Sequence, residues 1–223
     1  MLKKLALASV LSGVAMAGVS GANAATLTYG WEDGVGTVLG TFNNDGMQYT
    51  NTTALAYGGS HALLVEDLSA TNGGTPQAYV GWVNGLTDGD TVTASFWVYD
   101  SSEGVSPSAR IWGHYTDDAS DVDSYAGSAG GNSTYSAGTG WSLLEHTWTF
   151  DSAGGDRDGL MIEFRFYDGA DAAATGALLV DDLTITSSAG SIASPVPVPA
   201  AAWLFGTGLL GLFGYSRRNK AKA

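Results

Sequence analysis

"TVTASFWVYD" (91–100) is a stretch in which apolar and polar side chains alternate with a period of two. Successive side chains of a β-strand point to opposite faces, so its even-numbered residues, Phe96 among them, would share one buried face. The stretch "LMIEFRFY" (160–167) alternates in the same way. Since no segment of 25–195 shows the 3.6-residue period of an amphipathic helix, the sequence predicts an all-β chain.

Other stretches have the composition of strands and are separated by turns rich in Gly, Asn, Asp and Pro. They are TLTYGWE, GTVLGTF, HALLVED, QAYVGWV, ARIWGHY, LLEHTWTF and ALLVDDLTIT. About nine strands in one domain of this size are typical of a two-sheet sandwich. A long loop is predicted between 107 and 141, where Asp, Ser, Gly and Ala dominate.

The charge of this body is strongly acidic. The region 25–195 contains all 22 acidic residues but only three arginines and no lysine, and the whole chain carries a net charge of −13. The electrostatic field of such an acidic body repels the phosphate backbone of nucleic acids, so nucleic acid is not expected as a partner. The chain has no cysteine, which excludes disulfides, a thiol nucleophile and a thiolate metal site.

Residues 1–24 have the pattern of a secretory signal peptide. Lys3 and Lys4 precede an apolar stretch, and small residues at positions 22 and 24 form a small-x-small site. We therefore expect export through the Sec translocon and cleavage by signal peptidase between Ala24 and Ala25.

Residues 191–223 combine a linker, an apolar segment and a basic tail. The uncharged run 200–215 would span roughly 24 Å as a helix, a little less than the roughly 30 Å hydrocarbon core of a bilayer. Arg217 and Arg218 follow it directly. Because positive charge marks the cytoplasmic side, the body is expected on the outer side of the membrane.

Pro197, Val198 and Pro199, followed by "AAAWLFGTGLLGLFG" and an arginine-rich tail, resemble a PEP-CTERM sorting signal. Val198 occupies the position of the glutamate after which the motif is named, and a motif with valine at this position is a familiar variant. The resemblance implies that an exosortase, a membrane cysteine transpeptidase of Gram-negative bacteria, cuts near the Pro-x-Pro motif after Sec export. The protein would then be anchored transiently in the inner membrane and afterwards lie at the cell surface or outside the cell. An ordinary single-span anchor is the alternative.

Several pieces of the body resemble the carbohydrate-binding modules of bacterial glycan-degrading enzymes, which are jelly rolls. The pieces are YGWEDG, GGSHALLVED, GLTDGDTVTASFWVY, WSLLEHTWTF and LLVDDLTIT, in the order that the family has them. The resemblance implies a jelly-roll-like antiparallel β-sandwich over 25–190 that binds extracellular polysaccharide. It also implies a structural calcium ion held by Glu32 and Asp182, with backbone oxygens near Gly59. The alternative is that Glu32 and Asp182 are turn or edge residues.

Three predicted strands carry aromatic and charged side chains opposite their core positions. If these strands adjoin, one sheet face combines rings that stack on the C–H faces of sugars with charged groups that bond to sugar hydroxyls. The alternative is that Trp97 and Trp112 cover the second sheet or a loop. The residues of the predicted face are Trp97, Tyr99, Arg110, Trp112, His114, Glu163, Arg165 and Tyr167.

The sequence contains no G-x-S-x-G elbow, no H-E-x-x-H pair, no phosphate loop and no paired carboxylates at alternate positions of one strand. We therefore predict a non-enzymatic, glycan-binding protein associated with exopolysaccharide. Two other functions stay open. One is an acidic structural or matrix protein without a ligand pocket, and the other is a small hydrolase in which Glu66, Glu145 and Glu163 meet in space. The acidic loop around Asp121 is expected to be solvated.

Overall fold

The computed structural model describes residues 24–34, 38–68, 75–100, 108–131, 140–167 and 176–195. These residues form two six-stranded antiparallel sheets around a hydrophobic core, which confirms the predicted jelly-roll-like β-sandwich. The strands are β1 (Ala25–Tyr29), β2 (Gly40–Phe42), β3 (Met47–Thr52), β4 (Ala62–Asp67), β5 (Gln77–Asn84), β6 (Thr91–Asp100), β7 (Ser108–Thr116), β8 (Ser128–Gly130), β9 (Ser142–Thr149), β10 (Gly159–Tyr167), β11 (Ala177–Ser187) and β12 (Ser191–Ala193).

The two sheets are built from strands that are far apart in the chain. Sheet I has the order β3-β4-β11-β6-β9, with β1 beside the C-terminal half of β11. Sheet II has the order β12-β5-β10-β7-β8, with β2 beside the N-terminal half of β5. The Tyr29 hydroxyl donates to the carbonyl oxygen of Pro195 at 3.3 Å. The start and the end of the body therefore meet.

The core lies between the two sheets and follows the alternation read from β6 and β10. Phe96 of sheet I meets Phe164 of sheet II with ring centroids 5.9 Å apart in a tilted arrangement, a geometry that aromatic pairs favour. Burial of such side chains supplies most of the favourable free energy of folding. The other core positions predicted in these two strands are also buried: Val92, Ala94, Val98, Leu160, Ile162 and Phe166.

The pairing of β5 with β10 contains a register shift, which determines which of their side chains lie on the outer face of sheet II. The shift falls between Ile162 and Glu163, and beyond it Glu163 lies opposite Tyr79. At the shift, Gly81 faces sheet I so closely that a Cβ atom there would collide with the side chain of Ile185. A glycine inside a strand commonly marks such a bulge or a close approach of a neighbouring group.

Three short or polar strands are not signalled by the sequence. β8 lies inside the predicted loop between 107 and 141, and β12 lies beyond 190, where it pairs with β5. Each has three residues, too few for a period of two to be recognised. β3 is a polar edge strand of sheet I.

Ala24 is exposed, and Ala25 begins β1. Among the residues described here, no helix has the length and hydropathy that a membrane crossing requires. The remaining sorting and targeting segments lie outside the described residues: 1–23, Pro197, Val198, Pro199, the predicted membrane segment 200–215, Arg217 and Arg218.

Candidate functional site

β7 and β10 are neighbours in sheet II, and their outward side chains form one continuous surface. Arg110 lies opposite Arg165, and Trp112 lies opposite Glu163. The structure thus brings together six of the eight residues predicted for the ligand face: Arg110, Trp112, His114, Glu163, Arg165 and Tyr167.

Trp97 and Tyr99 lie on the outer face of sheet I instead, because β6 belongs to that sheet. The ring of Trp97 stacks on that of Tyr57, with centroids 3.9 Å apart and an interplanar angle of 14°. The ring of Tyr99 lies 5.5 Å from that of Trp141. The prediction that all three strands adjoin is therefore wrong for β6. Alternation assigns two faces to a strand, but it does not say which sheet contains it.

A groove of about 430 Å³ opens on the outer face of sheet II. Ligand pockets of proteins usually have volumes of roughly 300–1,000 Å³ and combine apolar walls with a few polar groups. Both aromatic rings and hydrogen-bonding side chains line this groove. Its lining residues are Phe42, Gln77, Tyr79, His114, Asp123, Tyr125 and Arg165.

Five of these lining residues were missed from the sequence. The stretch QAYVGWV already indicated that Gln77 and Tyr79 share a face, but not that β5 pairs with β10. The acidic loop that follows β7 was expected to be solvated, and Asp121 is indeed exposed. Asp123 and Tyr125 of the same loop nevertheless line the groove. Such contacts depend on tertiary packing, which no local pattern encodes.

A small apolar cluster supports the floor of the groove. Tyr79, Trp82 and Met161 are buried there, and Leu39 and Val122 pack against them. Burial, together with the nearby charge of Glu163, raises the pKa of Tyr79 to about 12. Its hydroxyl therefore stays protonated at neutral pH and is a hydrogen-bond donor.

A chain of polar contacts runs beneath the surface between β7 and β10. Glu163 is fully buried, and its Oε2 accepts a hydrogen bond from Nε of Arg165 at 2.6 Å. Its Oε1 is hydrogen-bonded to Nδ1 of His114. A buried carboxylate is costly unless its charge is compensated, and Arg165 supplies that compensation.

Aromatic rings hold both arginines of this face. The guanidinium of Arg165 lies 4.4 Å from the ring centroid of Trp112, and that of Arg110 lies 5.2 Å from the ring centroid of Tyr167. Nε1 of Trp112 donates to Oγ of Ser128 in β8 at 3.0 Å. These cation–π contacts and this hydrogen bond fix the direction in which the charged groups point.

Glu32 and Asp182, predicted as calcium ligands, lie at one end of the sandwich beside the loop between β3 and β4. Oε1 of Glu32 accepts hydrogen bonds from the N–H groups of Ser60 and His61 at 2.8 and 2.9 Å. These bonds lower the pKa of Glu32. A Cβ atom at Gly58 would lie 2.6 Å from Oδ2 of Asp182, so both predicted ligands reach the same loop.

A third carboxylate at this place, Asp181, was not predicted. It is fully buried, and its Oδ2 accepts hydrogen bonds from the N–H groups of Tyr57 and Gly58 at 2.7 and 3.1 Å. Burial raises the pKa of Asp181, and the charge of Asp182 raises it further. The carboxylates of Asp181 and Asp182, which carry the same charge, thus lie side by side.

The donor atoms here fit calcium in their chemistry. A Cβ atom at Gly30 would lie 3.2 Å from Oδ1 of Asp182 and 3.4 Å from Oδ1 of Asp181, so two carboxylates border one space. Calcium prefers such hard oxygen ligands. No three His, Cys, Asp or Glu side chains of the described ranges are arranged to hold a metal. A calcium ion would therefore need backbone carbonyl oxygens as well.

No protein-family model matches the chain, and no curated protein matches its sequence. Its fold is similar to that of the CBM22-1 xylan-binding domain of Xyn10C from Paenibacillus barcinonensis, at 15% identity and a TM-score of 0.48, over 74% of this chain and 95% of that domain. A second similar structure is the C-terminal family 22 carbohydrate-binding module of Clostridium thermocellum Xyn10B, at 15% identity and a TM-score of 0.47, over 78% and 98%. At these identities the similarity is limited to the fold.

Proposed function

We propose that this protein binds a glycan chain in the groove of sheet II and does not act on it chemically. The observation that carries the proposal is the lining of the groove. Three rings, those of Phe42, Tyr79 and Tyr125, line it together with polar side chains such as Gln77 and Arg165. Sugar rings stack their C–H faces on aromatic side chains, while their hydroxyls require donors and acceptors.

The carboxylates of the groove support binding rather than hydrolysis. A glycosidase needs two carboxyl groups on opposite sides of the scissile bond. Of the described residues that line the groove, only Asp123 carries a carboxylate. Glu163 lies beneath the surface, where its two oxygens are engaged by His114 and Arg165.

A glycan array probed with residues 25–195 tests this function, followed by affinity measurements on the oligosaccharides that it retains. Tyr125 and Phe42 are 64% and 52% exposed, so their replacement by alanine should leave the fold intact. We expect Tyr125→Ala to weaken binding at least about 10-fold, the loss of one sugar–ring contact.

The matched control is Tyr57→Ala. Tyr57 is 44% exposed and stacks on Trp97 of sheet I, on the other side of the sandwich. Binding should be unchanged in this variant. A protein that no glycan on the array retains would contradict the proposal and favour the acidic matrix role.

The same proposal includes export and surface sorting. The signal peptide pattern of 1–24 and the Pro-x-Pro motif at 197–199 support a path through the Sec translocon, signal peptidase and an exosortase. In this path the segment 200–215 holds the protein in the inner membrane of a Gram-negative cell until processing. The mature protein then meets exopolysaccharide at the cell surface or outside the cell. Cleavage before Ala25 leaves β1 whole, which agrees with this path.

We also propose a structural calcium ion at the end of the sandwich that contains Glu32. Asp181 and Asp182 would hold it with backbone carbonyl oxygens. Glu32, which the resemblance implies as a ligand, would instead orient the loop, because both of its carboxylate oxygens accept hydrogen bonds from Ser60 and His61. The ion would neutralise adjacent carboxylates and tie β11 to the loop between β3 and β4.

A further inference from the structure

The side chain of His114 has a polar atom that the described structure leaves without a partner. His114 is 1% exposed and forms part of the groove wall. Its Nδ1 is hydrogen-bonded to Glu163, whereas its Nε2 is shielded from solvent and has no hydrogen-bond partner among the described residues. A buried nitrogen without a partner is unfavourable, so a ligand that supplies one gains affinity.

The neighbouring charges determine what this nitrogen offers. Glu163 and Arg165 already form a neutral pair, with Nε of Arg165 2.6 Å from Oε2 of Glu163. Because a carboxylate oxygen can only accept, Nδ1 of His114 donates to Oε1 of Glu163, and the neutral imidazole carries its proton on Nδ1. Nε2 then carries a lone pair and is a hydrogen-bond acceptor.

Three elements packed near the imidazole contribute charged or titratable groups, whereas β8 places Ser128 opposite His114. Glu163 and Arg165 come from β10, Tyr79 comes from β5, and Asp123 and Tyr125 come from the loop after β7. The ring of Tyr79 lies 5.1 Å from the imidazole, and that of Tyr125 lies 5.4 Å from it. Tyr125 is 64% exposed, and exposed side chains change rotamer within nanoseconds, so we expect its ring to move when a ligand enters the groove beside the imidazole.

We propose that Nε2 of His114 accepts a hydrogen bond from one hydroxyl of the bound glycan, and that Glu163 and Arg165 are positioning residues that fix the tautomer. This inference rests on the glycan-binding function proposed above. It makes His114 a specificity-determining residue, because a sugar without a hydroxyl at that point leaves Nε2 unpaired. Groups that merely stack on Tyr79 and Tyr125 would not make this distinction.

The test compares two replacements of His114 in residues 25–195, with xylohexaose and cellohexaose as calorimetric probes beside any glycan retained on the array. His114→Phe keeps a ring but has no acceptor, and we expect its affinity to fall at least about 10-fold. His114→Gln places an amide near the position of Nε2 and should recover part of that loss. His146→Gln, in β9 of sheet I, is the control and should bind like the unchanged protein.

Equal affinities for His114→Phe and the unchanged protein would overturn the inference while leaving the proposed function intact. If the unchanged protein bound neither the probes nor any arrayed glycan, both would fail.

A measurement on the unchanged protein does not depend on how the variants fold. Nitrogen-15 NMR distinguishes the two neutral imidazole tautomers, and we expect the proton of His114 on Nδ1. Addition of a bound oligosaccharide should shift the Nε2 resonance. A proton on Nε2 of the neutral ring, or an Nε2 resonance that a saturating ligand leaves unchanged, would contradict the inference.

Discussion

The guanidinium of Arg165 lies over the indole of Trp112, 4.4 Å from the ring centroid, while its Nε bonds to the buried Glu163. We expect Arg165→Met to lower the free energy of unfolding by about 3 kcal/mol, because Glu163 would remain buried with an uncompensated charge. Urea denaturation provides the measurement. Arg110→Met, on the same face but exposed, is the control and should cost less than about 1 kcal/mol.

A second variant separates loss of the arginine from loss of the ion pair. Replacing Arg165 and Glu163 together, by Met and Leu, should be less destabilising than Arg165→Met alone, because no buried charge remains. An Arg165→Met protein as stable as the unchanged one would show that Glu163 is not desolvated as the structure indicates.

The stacked rings of Tyr57 and Trp97 lead to a prediction about the opposite face. Trp97→Ala should lower the free energy of unfolding by roughly 2 kcal/mol, since a half-buried ring and its aromatic contact are lost. Glycan affinity should not change, because Trp97 lies on sheet I. Parallel melts and binding isotherms would check this, and weaker binding by a folded variant would point to a ligand surface on sheet I.

The alternation in β6 and β10 was sufficient to predict which residues enter the core, because each strand has one face against the facing sheet. It was not sufficient to predict that Trp97 and Trp112 lie on opposite sides of the sandwich. That depends on the pairing of β6 with β11 and of β7 with β10, which joins strands that are distant from each other in the chain. Likewise, Gln77 and Tyr79 line the groove because β5 pairs with β10, and no local sequence pattern encodes that pairing.

Calcium should raise the melting temperature of residues 25–195, because a ligand that binds only the folded state stabilises it. Asp182 has φ = 47°, a left-handed conformation that asparagine tolerates, so Asp182→Asn removes the charge without new backbone strain. In chelator this variant should be at least as stable as the unchanged protein, because the repulsion with Asp181 is relieved. In calcium it should gain less stability than the unchanged protein.

The control for the calcium melts is Asp121→Asn, in an exposed loop at a different place in the fold. It should respond to calcium as the unchanged protein does. A melting temperature that neither calcium nor chelator alters would exclude the proposed ion, and an equal response in Asp182→Asn would place it elsewhere.

Processing should remove both ends of the chain. Mass spectrometry of the secreted form should find a protein that begins at or near Ala25 and ends near Pro197. Replacing Pro197 and Pro199 by alanine should leave the C-terminal segment attached, because the extended Pro-x-Pro segment is what the processing enzyme would recognise. An intact C-terminus on the secreted protein would refute the sorting proposal.

The turn between β5 and β6 should make stability depend on pH through Asp90. Its Oδ2 accepts hydrogen bonds from the N–H and the hydroxyl of Thr87, both at 2.8 Å, and its Oδ1 accepts one from the hydroxyl of Ser188 at 3.0 Å. The bond from the N–H group of Thr87 is the main cause of a lowered pKa at Asp90, which falls below its ordinary value of 3.8.

A carboxyl group with a lowered pKa binds its proton less readily in the folded than in the unfolded state. The stability that Asp90 contributes is therefore complete above pH 3.8 and is lost as the pH falls through its folded-state pKa. Asp90→Asn should cost roughly 1 kcal/mol at neutral pH, a modest amount because the side chain is largely solvated. The difference in free energy of unfolding between Asp90→Asn and the unchanged protein should be smaller in urea denaturation below pH 3.8 than at neutral pH. The control is Asp156→Asn, in another exposed turn, which should not lower the free energy of unfolding at neutral pH or below pH 3.8. A cost for Asp90→Asn that stays constant down to pH 2 would mean that its carboxylate does not hold this turn in solution.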